Sequence, residues 1–133
     1  MSELSFFIPM IIPTITAQEQ KVSIVRGKPV FYKPHELKNA REKFAAHLSS
    51  HKPKEPLDGA VQLVTKWCFP IKGKHYNGEF KITKPDTDNL VKMLKDVMTD
   101  LCFWHDDAQV ASEITEKFYS DVPGIYISIK GGM

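Results

Sequence analysis

From Leu90 to Cys102 the chain reads LVKMLKDVMTDLC, and its apolar residues fall on one side of a helix. At ~100° per residue, Leu90, Val91, Met93, Leu94, Val97, Met98, Leu101 and Cys102 share a broad arc. Asp88, Lys92, Lys95, Asp96 and Thr99 occupy the other side, with Asp88, Lys92 and Asp96 forming a stripe at four-residue spacing. An arc this wide must be buried against another layer of structure. At 133 residues there is room for one domain, 1–133, with a real core and no second domain.

The rest of the chain supplies that layer as strands. Leu4 to Ile15 is apolar and β-branched, and Lys21 to Tyr32 holds two alternating pieces around Arg26-Gly27-Lys28 that predict a hairpin or an exposed loop. After Pro34, Leu37, Ala40, Phe44 and Leu48 recur at helical spacing. Ala60 to Phe69 reads as a buried strand, Glu79 to Thr83 as a shorter one, and Val110 to Tyr119 and Gly124 to Ile129 as two closing strands. The expected fold is α+β, with two helices packed on a mixed or antiparallel sheet.

No apolar run approaches the ~20 residues of a membrane helix. MSELSFFIPMIIP lacks a basic start and is interrupted by Pro9 and Pro13, so it reads as a first strand rather than a signal peptide. Cys68 and Cys102 form no C-x-x-C pair and are expected to be reduced core thiols of a cytoplasmic protein.

The chemistry concentrates around the second helix. Six aspartates lie between Lys84 and Val110, with Asp86 and Asp88 at its start and Asp106-Asp107 beyond it. Helix capping would account for one aspartate at the start, but two compete for the same few donors and Pro85 has no N–H to offer. A solvated turn would account for Asp106-Asp107. If the two blocks meet, their carboxylates and Asn89 make a hard-oxygen site suited to Mg²⁺ or Mn²⁺, with positions open for phosphate and water. Lys92, one turn beyond Asp88, would offset developing negative charge. Otherwise it forms an i, i+4 pair with an aspartate, worth tenths of a kcal/mol. Contact between the blocks requires the segment after Asp107 to run back toward the start of the helix.

The charge is also uneven. Five lysines oppose only Glu79 between Lys66 and Lys84, whereas seven acids oppose two lysines from Asp96 onward. A basic segment beside an acidic cluster suits a site that draws a polyanion to bound metal.

Competing motifs fail. An EF-hand starting at Asp86 would need oxygen and glycine where Leu90 and Val91 stand. The D-x-D-x-[TVL] of haloacid-dehalogenase phosphohydrolases needs a buried strand near the N-terminus, and a sugar-nucleotide D-x-D is too short to use. The five histidines lack zinc spacing, and His105 is expected to be exposed. There is no nucleophile elbow or glycine-rich phosphate loop.

The pattern P-D-x-D-N-L-x-K, then Asp96, then F-W-x-D-D-A-Q-V resembles the signature of the RusA family of Holliday junction resolvases. It falls on Asp86, Asp88, Asn89, Leu90, Lys92, Phe103, Trp104, Asp106, Asp107, Ala108, Gln109 and Val110. The resemblance implies a RusA-like fold and a phage or prophage endodeoxyribonuclease. Such an enzyme acts as a homodimer on four-way junction DNA and makes paired symmetric nicks with Mg²⁺, in recombination and repair. It further implies that Asp86, Asp88 and Asp107 form the metal site, with Asp106 a neighbour, and that Lys92 is needed for cleavage. Where family members can carry a run of arginines, this chain has Ile82-Thr83-Lys84-Pro85, so DNA contact falls to Lys84 and to Arg26, Lys28 or Lys33. Phe31 and Tyr32 are read as core or strand residues, with stacking on an opened junction as the alternative. Two other functions fit the residues: a non-catalytic junction-binding protein that keeps the fold, and a metal-dependent hydrolase of small phosphate esters.

Overall fold

A computed structural model describes residues 2–13, 22–25, 28–31 and 34–133, with the segment before 35 on the hairpin side described by its backbone. The elements in order are β1 (Ser2–Pro9), β2 (Val22–Val25), β3 (Lys28–Phe31), α1 (Pro34–Leu48), β4 (Val61–Pro70), α2 (Thr87–Asp100), β5 (Val110–Ser120) and β6 (Gly124–Gly131). Short 3-10 turns at Ser49–His51 and Asp107–Gln109 complete the order. β2 and β3 form the expected antiparallel hairpin, with Val25 opposite Lys28.

The main sheet runs β1-β6-β4-β5. β6 is antiparallel to both β1 and β4, and β4 is parallel to β5. A parallel pair needs a crossover, which α2 provides. Strand β4 alternates in burial, with Val61, Leu63, Thr65, Trp67 and Phe69 facing the helices. Thr65 tolerates full burial because its hydroxyl accepts the Trp67 indole N–H at 2.9 Å. Helix α1 puts Ala40, Phe44 and Leu48 into the same core, where Phe44 meets Trp67 edge to face at 6.1 Å between centroids. The predicted arc of α2 is buried from Leu90 to Met98.

β1 ends at Pro9, whose partner Gly124 opens β6. That close approach demands glycine: a Cβ on Gly124 (φ +157) would lie 2.3 Å from the Ile8 carbonyl oxygen and 2.5 Å from the Phe7 ring. The sequence reading carried the first strand on to Ile15, but residues 10–13 are not strand and 14–15 lie outside the described residues. The strand expected at Glu79–Thr83 shrinks to a single bridge, Phe80 to Phe118.

Cys102 also departs from expectation. It is exposed rather than core, because α2 ends at Asp100, Leu101 caps it, and Cys102 turns into the left-handed region at φ 63. Its N–H donates to the Thr99 carbonyl and that of Phe103 to the Met98 carbonyl, both at 3.0 Å. These are the two bonds of a Schellman cap, usually made with glycine at the left-handed position. Buried Met98 and Phe103 supply the apolar contact that accompanies the motif. No glycine marks the stop, so periodicity alone carries the helix two residues too far, to Cys102. No described helix is long and apolar enough to cross a membrane.

Candidate active site

Asp86 occupies the N-cap position of α2, and its carbonyl accepts the Leu90 N–H at 3.2 Å. Its carboxylate makes no capping bond. Instead it stands half-exposed, 3.0 Å from Lys84 Nζ. Asp88, in the first helical turn, is exposed and makes no hydrogen bond or ion pair with the described residues. The helix dipole favours both negative charges here. Helix capping therefore does not consume either carboxylate. Asn89 does not join them: the next helical position turns it into the core, where it is 8 % exposed.

The approach to Asp86 is held from the opposite side. Lys117 of β5 donates to the Thr83 carbonyl at 2.6 Å and to the Pro85 carbonyl at 2.7 Å. Nothing in the sequence singled out Lys117, one of two lysines among seven acids from Asp96 onward. Lys92 lies one turn along the exposed face, 3.8 Å from Asp96. Arg41 of α1 also reaches Asp96 at 3.7 Å, and reaches Asp100 at 3.3 Å. Asp96 is thus engaged twice, and Lys92 is left half-exposed with one long ion pair.

The second acidic block is built differently. Asp106 caps the 3-10 turn, accepting the Ala108 N–H at 2.9 Å. The Gln109 side-chain oxygen accepts from the His105 and Asp106 N–H groups at 2.7 and 2.9 Å. Its amide nitrogen donates to the Leu57 and Gly59 carbonyls at 2.9 and 3.0 Å. This reciprocal capping box fastens the turn to the loop before β4. Asp107 projects from it, exposed, with no side-chain partner among the described residues. His105 is exposed, as expected, and pairs with Asp58 at 2.8 Å.

Within one chain the two blocks sit at opposite ends of α2. β5 does run back along the helix, but the residue it returns to Asp86 is Lys117. Asp107 precedes Val110, which pairs with Val61 at the far end of the sheet. The seven-residue step from Val110 to Lys117 spans ~23 Å of strand, and α2 itself rises ~20 Å. Among the described residues no three acids, histidines or cysteines come close enough to share a metal ion.

Beside Asp86 lies a cleft of ≈ 510 Å³ whose lining includes Lys72, Lys74, Lys81, Lys84 and Tyr119, and no carboxylate. Lys81 is held there, its Nζ donating to the Thr83 hydroxyl and lying 5.3 Å from the Phe69 ring and 5.4 Å from that of Tyr119. Of the four cations expected to meet DNA, Lys84 borders this cleft. Arg26 and Lys33 lie outside the described residues, and Lys28 is described only as backbone in β3.

Residues 12–130 match the family model of endodeoxyribonuclease RusA. The chain is 38 % identical over 98 residues to the crossover junction endodeoxyribonuclease rusA of Lactococcus phage r1t, covering 71 % of this chain and 73 % of that protein. It is also 31 % identical over 119 residues to the uncharacterized protein YqaN of Bacillus subtilis (strain 168), covering 81 % of this chain and 83 % of that one. With the family model spanning residues 12–130 and the phage relative 38 % identical over 71 % of this chain, the chain belongs to the RusA family of endodeoxyribonucleases.

Proposed function

We propose that this protein is a cytoplasmic, Mg²⁺-dependent resolvase of four-way DNA junctions that works as a homodimer, with Mn²⁺ as a substitute. The observation that carries the reading is the Asp86–Asp88 pair, exposed at the start of α2 and uncapped, next to a cleft lined by lysines without acids. The phage relative's name, crossover junction endodeoxyribonuclease, supports the substrate. Asp88 has no competing hydrogen bond and Asp86 only that from the exposed Lys84, which fits a hard cation, since Mg²⁺ is commonly held by one or two carboxylates plus substrate phosphate. Held there, the ion would supply Lewis acidity and ease deprotonation of an attacking water.

The chain's own residues do the remaining work. The lysine cleft binds the strand backbone and brings the scissile phosphate to Asp86 and Asp88. Lys92 offsets the charge that grows on that phosphate in the transition state. Lys117 fixes the backbone leading into the site. Because Asp107 lies at the other end of α2, its participation requires a second copy. In a two-fold dimer, Asp107 of each copy completes the Asp86–Asp88 pair of the other, and two equivalent sites match the two equivalent strands of a junction.

Co-expression of two differently tagged variants tests this arrangement. Asp88→Asn and Asp107→Asn should each lose about a thousandfold in nicking of a synthetic junction, the several kcal/mol a Lewis acid provides. Mixed dimers hold one intact shared site, so the co-expressed pair should regain about a quarter of wild-type nicking. No recovery would reject sharing between copies. Wild-type protein that cuts linear duplex as readily as the junction, or that cuts in EDTA, would reject the function.

A further inference from the structure

The connection from β4 to α2 runs from Ile71 to Asp86, far longer than the roughly two to six residues common for such loops. It is fastened as a strap across the outer edge of β5. Gly78 N–H donates to the Tyr119 carbonyl at 2.8 Å, Tyr119 N–H to Glu79 at 2.9 Å and Lys81 N–H to Lys117 at 3.0 Å. Rings add to this: His75 stacks on Tyr119 at 4.1 Å and Phe80 on Phe118 at 4.9 Å. Asn77 accepts the Asp121 N–H at 2.9 Å, and Glu79 accepts from the Tyr76 N–H and faces His75 at 3.1 Å.

One large ring on the strap has no part in this fastening. Tyr76 is 66 % exposed, although the bonds on either side hold its backbone in place. It follows Lys72 and Lys74, which line the basic cleft and make no ion pair with the described residues. An exposed aromatic ring on a fastened backbone, two and four residues from cations without ion pairs among the described residues, is the composition of a surface that stacks on bases and holds phosphates.

Resting on the junction-resolving function proposed above, we infer that the strap selects branched over linear DNA, with Tyr76 stacking on a base pair exposed at the branch point while Lys72 and Lys74 hold the adjoining phosphates. The interior of a linear duplex offers no open base face. At a four-way junction stacking is interrupted between arms, so the last pair of an arm does offer one. The cleft's positive lining matches a polyanion, and its position next to Asp86 puts the branch beside the cutting site.

Binding in EDTA, which separates recognition from cutting, tests this with a four-way junction and a linear duplex of the same arm sequence. Tyr76→Ala should weaken junction binding about tenfold, leave duplex binding unchanged, and abolish quenching of 2-aminopurine placed at the branch; Tyr76→Phe should restore both signals. Lys72→Ala with Lys74→Ala should weaken both substrates and reduce the salt slope by about two. Junction preference unchanged in Tyr76→Ala, or equal losses on both substrates, would overturn the strap's role and leave the nuclease intact. Wild type that binds the junction no better than duplex would overturn the proposed function, and the strap's role with it.

Discussion

The two ends of α2 carry the same kind of residue and use it in opposite ways. At the first end Asp86 occupies a capping position without capping, and Asp88 stands alone in the first turn. At the second, Asp106 is consumed by a capping box that Gln109 closes and anchors to the loop before β4. Even Asp96 and Asp100, between these ends, are engaged by Arg41. A carboxylate that the fold does not use is available to a ligand. By that measure the first end has Asp88, beside an Asp86 whose carboxylate meets only the exposed Lys84, and the second has Asp107.

The comparison makes opposite claims about activity and stability at each end. Lys92, on the side of the proposed site, has only a long pair with Asp96, worth ~0.2–0.5 kcal/mol. Lys92→Met should therefore lower junction nicking about a hundredfold and move Tm by less than about 2 °C. Activity and Tm falling together, or nicking left intact, would return Lys92 to a surface ion pair.

At the other end stability should move first. Asp106→Ala removes the cap and should cost about 1 kcal/mol, a drop in Tm of roughly 4 °C, with nicking per folded molecule preserved. Asp106→Ser keeps a capping acceptor and should recover most of the loss. If Asp106→Ser melts like wild type but no longer nicks, Asp106 is a cation ligand and the contrast between the ends collapses.

The smallest effect concerns pH and the strap. The hydrogen bond from His75, with help from the Tyr76 N–H, holds the Glu79 carboxyl below its ordinary value of 4.5. A carboxylate lowered in the folded state contributes fully above that ordinary value and loses its contribution as pH falls through the lowered one. Protease sensitivity of residues 71–83 should rise slightly as pH falls well below that ordinary value of 4.5 in wild type and already be raised at neutral pH in Glu79→Gln. A Glu79 carbon resonance titrating at or above 4.5 would show that this bond does not fasten the strap.

Much of this molecule was legible as sequence because the signals are local. The α2 arc, the alternation of β4 and the hairpin around Arg26-Gly27 each depend on neighbours within a few residues. So does the paired-aspartate pattern, which was enough to reveal the family. Local reading erred where local signals misled: Cys102 kept the apolar period while adopting a left-handed cap without glycine, and Glu79–Thr83 looked like a strand while forming a strap.

What only the tertiary structure decided is where the two acidic blocks stand relative to each other. That depends on β5 running parallel to β4, with Val110 opposite Val61 and Lys117 returned to Pro85. Hydrogen bonds between residues dozens of positions apart set this register, and no short-range period encodes it. The sequence by itself determined which side chains could perform the chemistry. The direction of one strand determined that a single copy does not bring them together.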